Sequence, residues 1–219
     1  VNSAGRVRVI GVEDATSIRV RARIDDGLRR SGHSVTTVAG TLRVHGSCPN
    51  YGSAWCQVHY TIEVPSTLPV YVRSDGSIEV TDVTGGVEAS SNDSSVTLDR
   101  VDGDLVLESD QGRITAGALR SSHVTANADQ GRISLVFLES PRTVVAEADQ
   151  GSIDIVLPGS DVAYATDLSA DQVIPGRASS PGPGHPDQDM ESQRNRTSLF
   201  SFEFFPPKSD EAEVSLWDS

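Results

Sequence analysis

Lysine is almost missing from this sequence: Lys208 stands alone among 18 basic residues, and all the others are arginine. Aromatic residues make up 5% of the 219, cysteine occurs twice and methionine once. A core so short of rings has to be thin, lined by Val, Ile, Leu and Ala. No apolar run approaches the roughly 20 residues of a membrane-spanning helix, and no signal peptide is visible. Any membrane association is therefore expected to run through an anchor outside these residues, upstream of Val1. The net charge of −13 argues against nucleic acid or an anionic membrane surface as the main partner. That charge is uneven. Residues 1–73 hold 9 Arg against 5 Asp and Glu (+4), residues 74–165 hold 5 Arg against 16 (−11), and residues 166–219 hold 4 basic against 10 acidic (−6).

What is present is a repeat. "SDGSIEV" (74–80), "NDSSVTL" (92–98), "DQGRITA" (110–116), "DQGRISL" (129–135) and "DQGSIDI" (149–155) align without gaps. Their anchors Ile78, Val96, Ile114, Ile133 and Ile153 recur every 18 to 20 residues. Two positions after each anchor stands another apolar residue, with a polar one between, which is the period of a half-buried strand. A second strand precedes each of the last four turns, through pairs such as Leu105 and Leu107 or Val144 and Ala146. Antiparallel hairpins in a meander would give similar signals. The near-constant unit length favours an all-β fold of the β-solenoid or β-roll type, each unit one stacked rung.

The turns carry Asp75, Asp93, Asp110, Asp129 and Asp149, with Gly76, Gly112, Gly131 and Gly151 at a position expected to need positive φ; Ser94 replaces glycine in the second unit. The column Ser74, Asn92, Asp110, Asp129, Asp149 invites a calcium reading, with Arg113 and Arg132 placed to offset the repulsion. The glycine-rich nonapeptides of calcium-binding solenoids are absent. Plain turn chemistry is preferred, and no metal is assigned.

Residues 5–73 also read as strands, with arginines on the outer face of "RVRVIGV" and "SIRVRARI". Cys48 and Cys56 close a nine-residue ring, which reads as a disulfide and hence an oxidising compartment. The competing reading is a zinc set with His45 and His59, spaced H-x2-C-x7-C-x2-H. Strand parity opposes it, because Val44 and the even-numbered run Val58, Tyr60, Ile62 and Val64 face the core while His45 and His59 face away. The five histidines pair with no nucleophile by spacing, and Ser and Asp fall at turn positions. A non-enzymatic domain without cofactor, with a surface ligand or protein as its unidentified partner, is expected.

The order of an N-terminal strand set, a Cys…Cys loop, "VHYTIEVPSTLPVYVRSDGSIEV" and glycine-marked repeats resembles a bacterial adhesin-like family of β-solenoid domains. The likeness covers about residues 5–158. It implies an extracytoplasmic or cell-surface location behind a membrane anchor, and it implies no catalytic residues.

Periodicity stops after residue 165. Residues 166–197, rich in Pro, Gly, Ser and charge, read as a disordered linker between a β-repeat domain (1–165) and a tail (198–219). The tail gathers Phe200, Phe202, Phe204 and Phe205, four of the chain's 5 phenylalanines, around Glu203. Leu199–Phe205 reads as a buried strand, stopped by Pro206–Pro207, with a helix starting at Ser209. "SFEFFPPK" followed by an acidic stretch and "LW" resembles the first strand and loop of methylenetetrahydrofolate reductase, a flavin-dependent (β/α)8 barrel. The resemblance gives Glu203 the role of general acid, FAD as cofactor were a complete barrel to follow, and a cytoplasmic setting for that alternative. A barrel needs ~250 residues, so the piece is expected to be inactive as written. Without barrel neighbours the strand either docks on an exposed solenoid edge or stays mobile. Mobility is expected, since the linker offers no apolar anchor and residues 1–165 suggest no aromatic-sized pocket.

Overall fold

A computed structural model describes residues 2–3, 5–26, 30–48, 56–159, 165–170 and 198–203. These residues form strands and the turns between them, with no helix. The chain opens with β1 (Asn2–Ser3) and β2 (Val7–Val12), continues through β3 (Arg19–Asp25) and β4 (Gly32–Val38), and then lays down β5 (Thr41–Ser47) and β6 (Gln57–Pro65). From there the repeat takes over. Each rung is a pair of short strands meeting at a corner: β7 (Val70–Ser74) with β8 (Ile78–Thr81), β9 (Val87–Ser91) with β10 (Val96–Asp99), and β11 (Leu105–Ser109) with β12 (Ile114–Leu119). The last two rungs, β13 (His123–Phe137) and β14 (Thr143–Val156), are single continuous strands that run through the "DQG" segment where a turn was expected.

All pairings between successive rungs are parallel, with one register shift between Ala116 and Leu119 where β12 meets β13, which decides for a solenoid over a meander. Val7, Ile78, Val96, Ile114, Ile133 and Ile153 stand in one column across the stack. On the other sheet, Val70, Val87, Leu105, Val124 and Val144 form a second. Rungs about 4.8 Å apart put like side chains in contact along each column. A residue such as Ile114 or Leu107, at 0% exposure, contributes roughly 1.5–3 kcal/mol by leaving water. The core does hold two rings, contrary to the expectation of a ring-free interior. Tyr60 is buried in the rung of β6, and Phe137 at the end of β13.

The first third reaches the stack out of order. β2 lies between β6 and β8, parallel to both, so the chain's opening rung is sandwiched between two that come later. β3 then turns antiparallel along the outer edge of β6, and β4 along that of β5. These two exposed strands end the parallel array at its amino-terminal side, covering edges that would otherwise offer unpaired N–H and C=O groups.

The glycine column has a different cause from the one expected. Gly76, Gly112, Gly131 and Gly151 do not lie in the left-handed region. A Cβ at Gly131 would sit 1.9 Å from the Gly112 carbonyl oxygen, and one at Gly151 would sit 1.6 Å from that of Gly131. The glycines are there because each corner packs backbone on backbone. Left-handed residues form another column, just after β8 and β10 and near the end of β12: Asp82 (φ 59°), Arg100 (φ 52°) and Ala118 (φ 53°).

Buried serines hold the corners together. Ser91 Oγ accepts the Ser94 N–H at 3.2 Å and donates to the Gly76 carbonyl of the rung before, also at 3.2 Å. Ser109 accepts from Gly112 N–H at 2.9 Å and donates to the Ser94 carbonyl at 3.1 Å. Ser74 does the same with Gly76 and Gly5. In the next two rungs the column continues as Ala128 and Ala148, and there the corner becomes continuous strand.

Beyond the array, β15 (Ala165–Ala170) begins where the linker was expected, and β16 (Ser198–Glu203) runs antiparallel to both β15 and β14. In backbone terms β16 takes the docked course, with Phe202 opposite Val144 and Phe200 opposite Ala146. Residues 171–197 and 204–219, including the rest of the linker and the helix expected from Ser209, lie outside the described residues.

Candidate binding surfaces at the amino-terminal end

The repeat turns do not assemble a site. Asp75 accepts a hydrogen bond from Asn92 Nδ2 at 2.8 Å, which ties adjacent turns together. Asp110, Asp129 and Asp149 are exposed. Arg132 does not turn back to Asp129. It reaches the next rung, to Ser152 Oγ at 2.9 Å and toward Asp154 at 3.8 Å. Among the described residues, no group of three or more His, Cys, Asp or Glu side chains is placed to hold a metal ion. Glu203 closes β16 at the far end of the stack, and the barrel motif around it falls mostly outside the described residues.

The cysteine loop resolves as the disulfide reading has it. Cys48 and Cys56 are bonded, with their Cα atoms 5.7 Å apart. The histidines of the zinc alternative are used elsewhere or turned away. His59 Nδ1 accepts the Arg6 backbone N–H at 3.0 Å, and its Nε2 lies 3.7 Å from Asp25. His45 is exposed, and its backbone carbonyl accepts the Tyr60 hydroxyl at 2.9 Å. His33, on β4, meets that hydroxyl from the other side at 2.9 Å through Nδ1. Burial pushes the Tyr60 phenol above its ordinary pKa, so it stays a neutral donor that fastens the end strand to the stack. A disulfide is consistent with an extracytoplasmic location.

Two grooves lie at this end, each of about 650 Å³. The first is polar and basic, lined among others by Arg6, Arg21, Arg23, His59, Thr61 and Asp75. Outward parity on β2, β3 and β6 brings the arginines together. Glu63 pairs with both Arg19 and Arg21, so one of those two positive charges is left over. Arg23 lies 3.5 Å from Asp25, while Arg6 Nε donates to Ser77 Oγ at 3.1 Å and forms no ion pair among the described residues. With Asp75 also in its lining, the groove keeps a small positive excess on a protein of net charge −13. No family model, curated protein or solved structure matches this chain significantly.

The second groove is apolar, with Leu42, Ile62, Val64, Leu68 and Val70 among its walls. It corrects the expectation that residues 1–165 hold no pocket large enough for an aromatic side chain. Neither groove was visible in the sequence. The arginines were read as an outer face, but their convergence depends on β3 folding back on β6.

Proposed function

We propose that this chain is a non-enzymatic, extracytoplasmic or surface interaction domain, a rigid β-solenoid that binds an acidic ligand through the arginine-lined groove at its amino-terminal end. The observation that carries this reading is the convergence of Arg6, Arg21 and Arg23 around His59 on an otherwise acidic molecule. Exposed guanidinium groups on a stiff sheet suit planar carboxylates or sulfates, which they bind in bidentate fashion. The disulfide and the resemblance to adhesin-like solenoids support the location.

The test is titration of the protein with polygalacturonate as a model polyanion, at low and at physiological salt. Saturable, salt-sensitive binding that falls at least tenfold in the Arg6→Ala/Arg21→Ala/Arg23→Ala variant supports the reading. Binding unchanged by those three substitutions, or no binding at low salt, refutes it.

A second reading is favoured by the "SFEFFPPK" motif alone: the chain as the amino-terminal part of a methylenetetrahydrofolate reductase, with Glu203 as general acid and FAD as cofactor of the barrel that would follow. The coding sequence beyond Ser219 decides it, since an open frame encoding a barrel moves the function to the reductase.

A further inference from the structure

The arginine-lined groove is close to electrical balance, and a histidine stands inside it. The groove and its rim hold four guanidinium groups, of Arg6, Arg19, Arg21 and Arg23, and three carboxylates, of Asp25, Glu63 and Asp75. Alongside, Arg8 and Glu79 pair with each other at 3.4 Å. The excess is a single positive charge. His59 sits among these groups. Arg23 is its cross-strand partner on β3, Arg6 adjoins it just before β2, and Asp25 lies 3.7 Å from its Nε2. The side chain is 29% exposed, so water can bring it a proton. Histidine is the side chain that ordinarily changes charge between about pH 5 and 8. One proton on His59 doubles the excess.

The hydrogen bonds fix where that proton goes. Nδ1 accepts the Arg6 backbone N–H at 3.0 Å, so the neutral ring carries its hydrogen on Nε2, the nitrogen nearer Asp25. A second proton has to enter at Nδ1. It turns that acceptor into a donor and breaks the bond to the Arg6 N–H. Both N–H groups then lack an acceptor, and a sulfate or carboxylate oxygen entering the groove supplies one.

We infer that His59 makes this groove an acid-gated anion site, taking a proton at Nδ1 as the anionic ligand binds and holding that ligand more tightly in mild acid. The inference rests on the reading of the groove as a site for acidic ligands. One added charge a few ångströms from an anionic group at a solvated surface is worth about fivefold in affinity.

The experiment is calorimetric titration of the full 219-residue protein with dextran sulfate, whose own charge is constant between about pH 5.5 and 7.5. Binding should be about fivefold tighter at the lower pH. Midway between the two it should take up protons, read from the dependence of the heat on the buffer's ionisation enthalpy. His59→Asn retains an acceptor oxygen near the position of Nδ1 but takes no proton, and it should lose most of the pH response and of the proton uptake. His45→Asn, outside this groove, should keep both. Unchanged circular dichroism spectra and melting temperatures at each pH separate a charge effect from unfolding. Binding that needs Arg6, Arg21 and Arg23 yet is equal at the two pH values overturns the inference and leaves the acidic-ligand reading standing. So does a pH response that survives His59→Asn. Binding indifferent to the three arginines, or no binding at either pH, overturns both.

Discussion

The two parts of the β-domain reach one parallel stack by opposite routes. From residue 70 to 156 each rung pairs with the rung just before it, and equivalent residues recur at every step. From residue 2 to 65 almost nothing repeats. β2 finds its neighbours 53 and 71 residues along the chain, as Val7↔Tyr60 and Val7↔Ile78 show, and β3 and β4 turn against the direction of the stack. The array gains its stability from repetition, one buried column extended rung by rung. The amino-terminal end depends on singular devices: a disulfide, a buried tyrosine and an antiparallel edge. Both candidate binding grooves lie at that singular end, where side chains of different kinds are brought together.

The sharpest way to break the contrast is to spoil the repetition. Gly131→Ala places a methyl against the Gly112 carbonyl oxygen, where the ideal contact is 1.9 Å. The two rungs must separate, and a loss of about 3 kcal/mol is expected from urea unfolding. Gly159→Ala, with nothing within 4 Å of its new Cβ, should be neutral. Next comes the singular end. Replacing Cys48 and Cys56 together by serine releases a nine-residue ring and should cost about 2.5 kcal/mol. Native-state hydrogen exchange should show the lost protection confined to β3–β6, and uniform loss through the array would mean that the two regions unfold as one. A smaller effect is expected from Ser109→Ala, which leaves the Gly112 N–H and the Ser94 carbonyl without their hydroxyl partner. About 1–2 kcal/mol should go, and a neutral result would show that the alanine corner of β13 can be transplanted one rung earlier.

The surface contributes least. Arg100 bridges Asp82 and Asp99 between rungs, and its hydrogen bond holds the Asp82 carboxyl below the usual carboxylate range. A lowered folded-state pKa adds stability that is complete above the unfolded value of about 3.9 and fades as pH falls through the folded one. With both side chains about half exposed, Arg100→Ala should lower stability by less than about 1 kcal/mol. The difference should vanish in high salt and in acid, and a difference that persists at 1 M salt would point to packing of the arginine stem instead.

The array was legible because its information is local. Ile78, Val96, Ile114, Ile133 and Ile153 announce a period and a parity, which favour stacked rungs, while the choice against antiparallel hairpins came only with the parallel pairing. The reason for the glycines was not legible, because a glycine forced by a neighbouring carbonyl and one forced by positive φ look alike in sequence. The serine clamp was hidden for a similar reason: Ser91 and Ser109 look like polar turn residues until the rung before them is in place. Rung order in the first third was out of reach. The strand of β2 carries its own alternation, yet nothing in "RVRVIGV" says that its neighbours lie more than fifty positions away. The grooves inherit that opacity, since both exist only through that order.

The sandwiching of β2 also sets a timetable. A chain that emerges amino terminus first, from a ribosome or through a membrane, delivers β2 long before either strand that will flank it. The segment has to wait, exposed and unpaired, until roughly the first eighty residues are out, because both its pairings span large loops that are slow to close. The array behind it needs no such delay, and each arriving unit can be laid on the last. Assembly would then begin in the middle of the chain and reach its first residues late, so the beginning of the sequence is among the last parts of the molecule to fold.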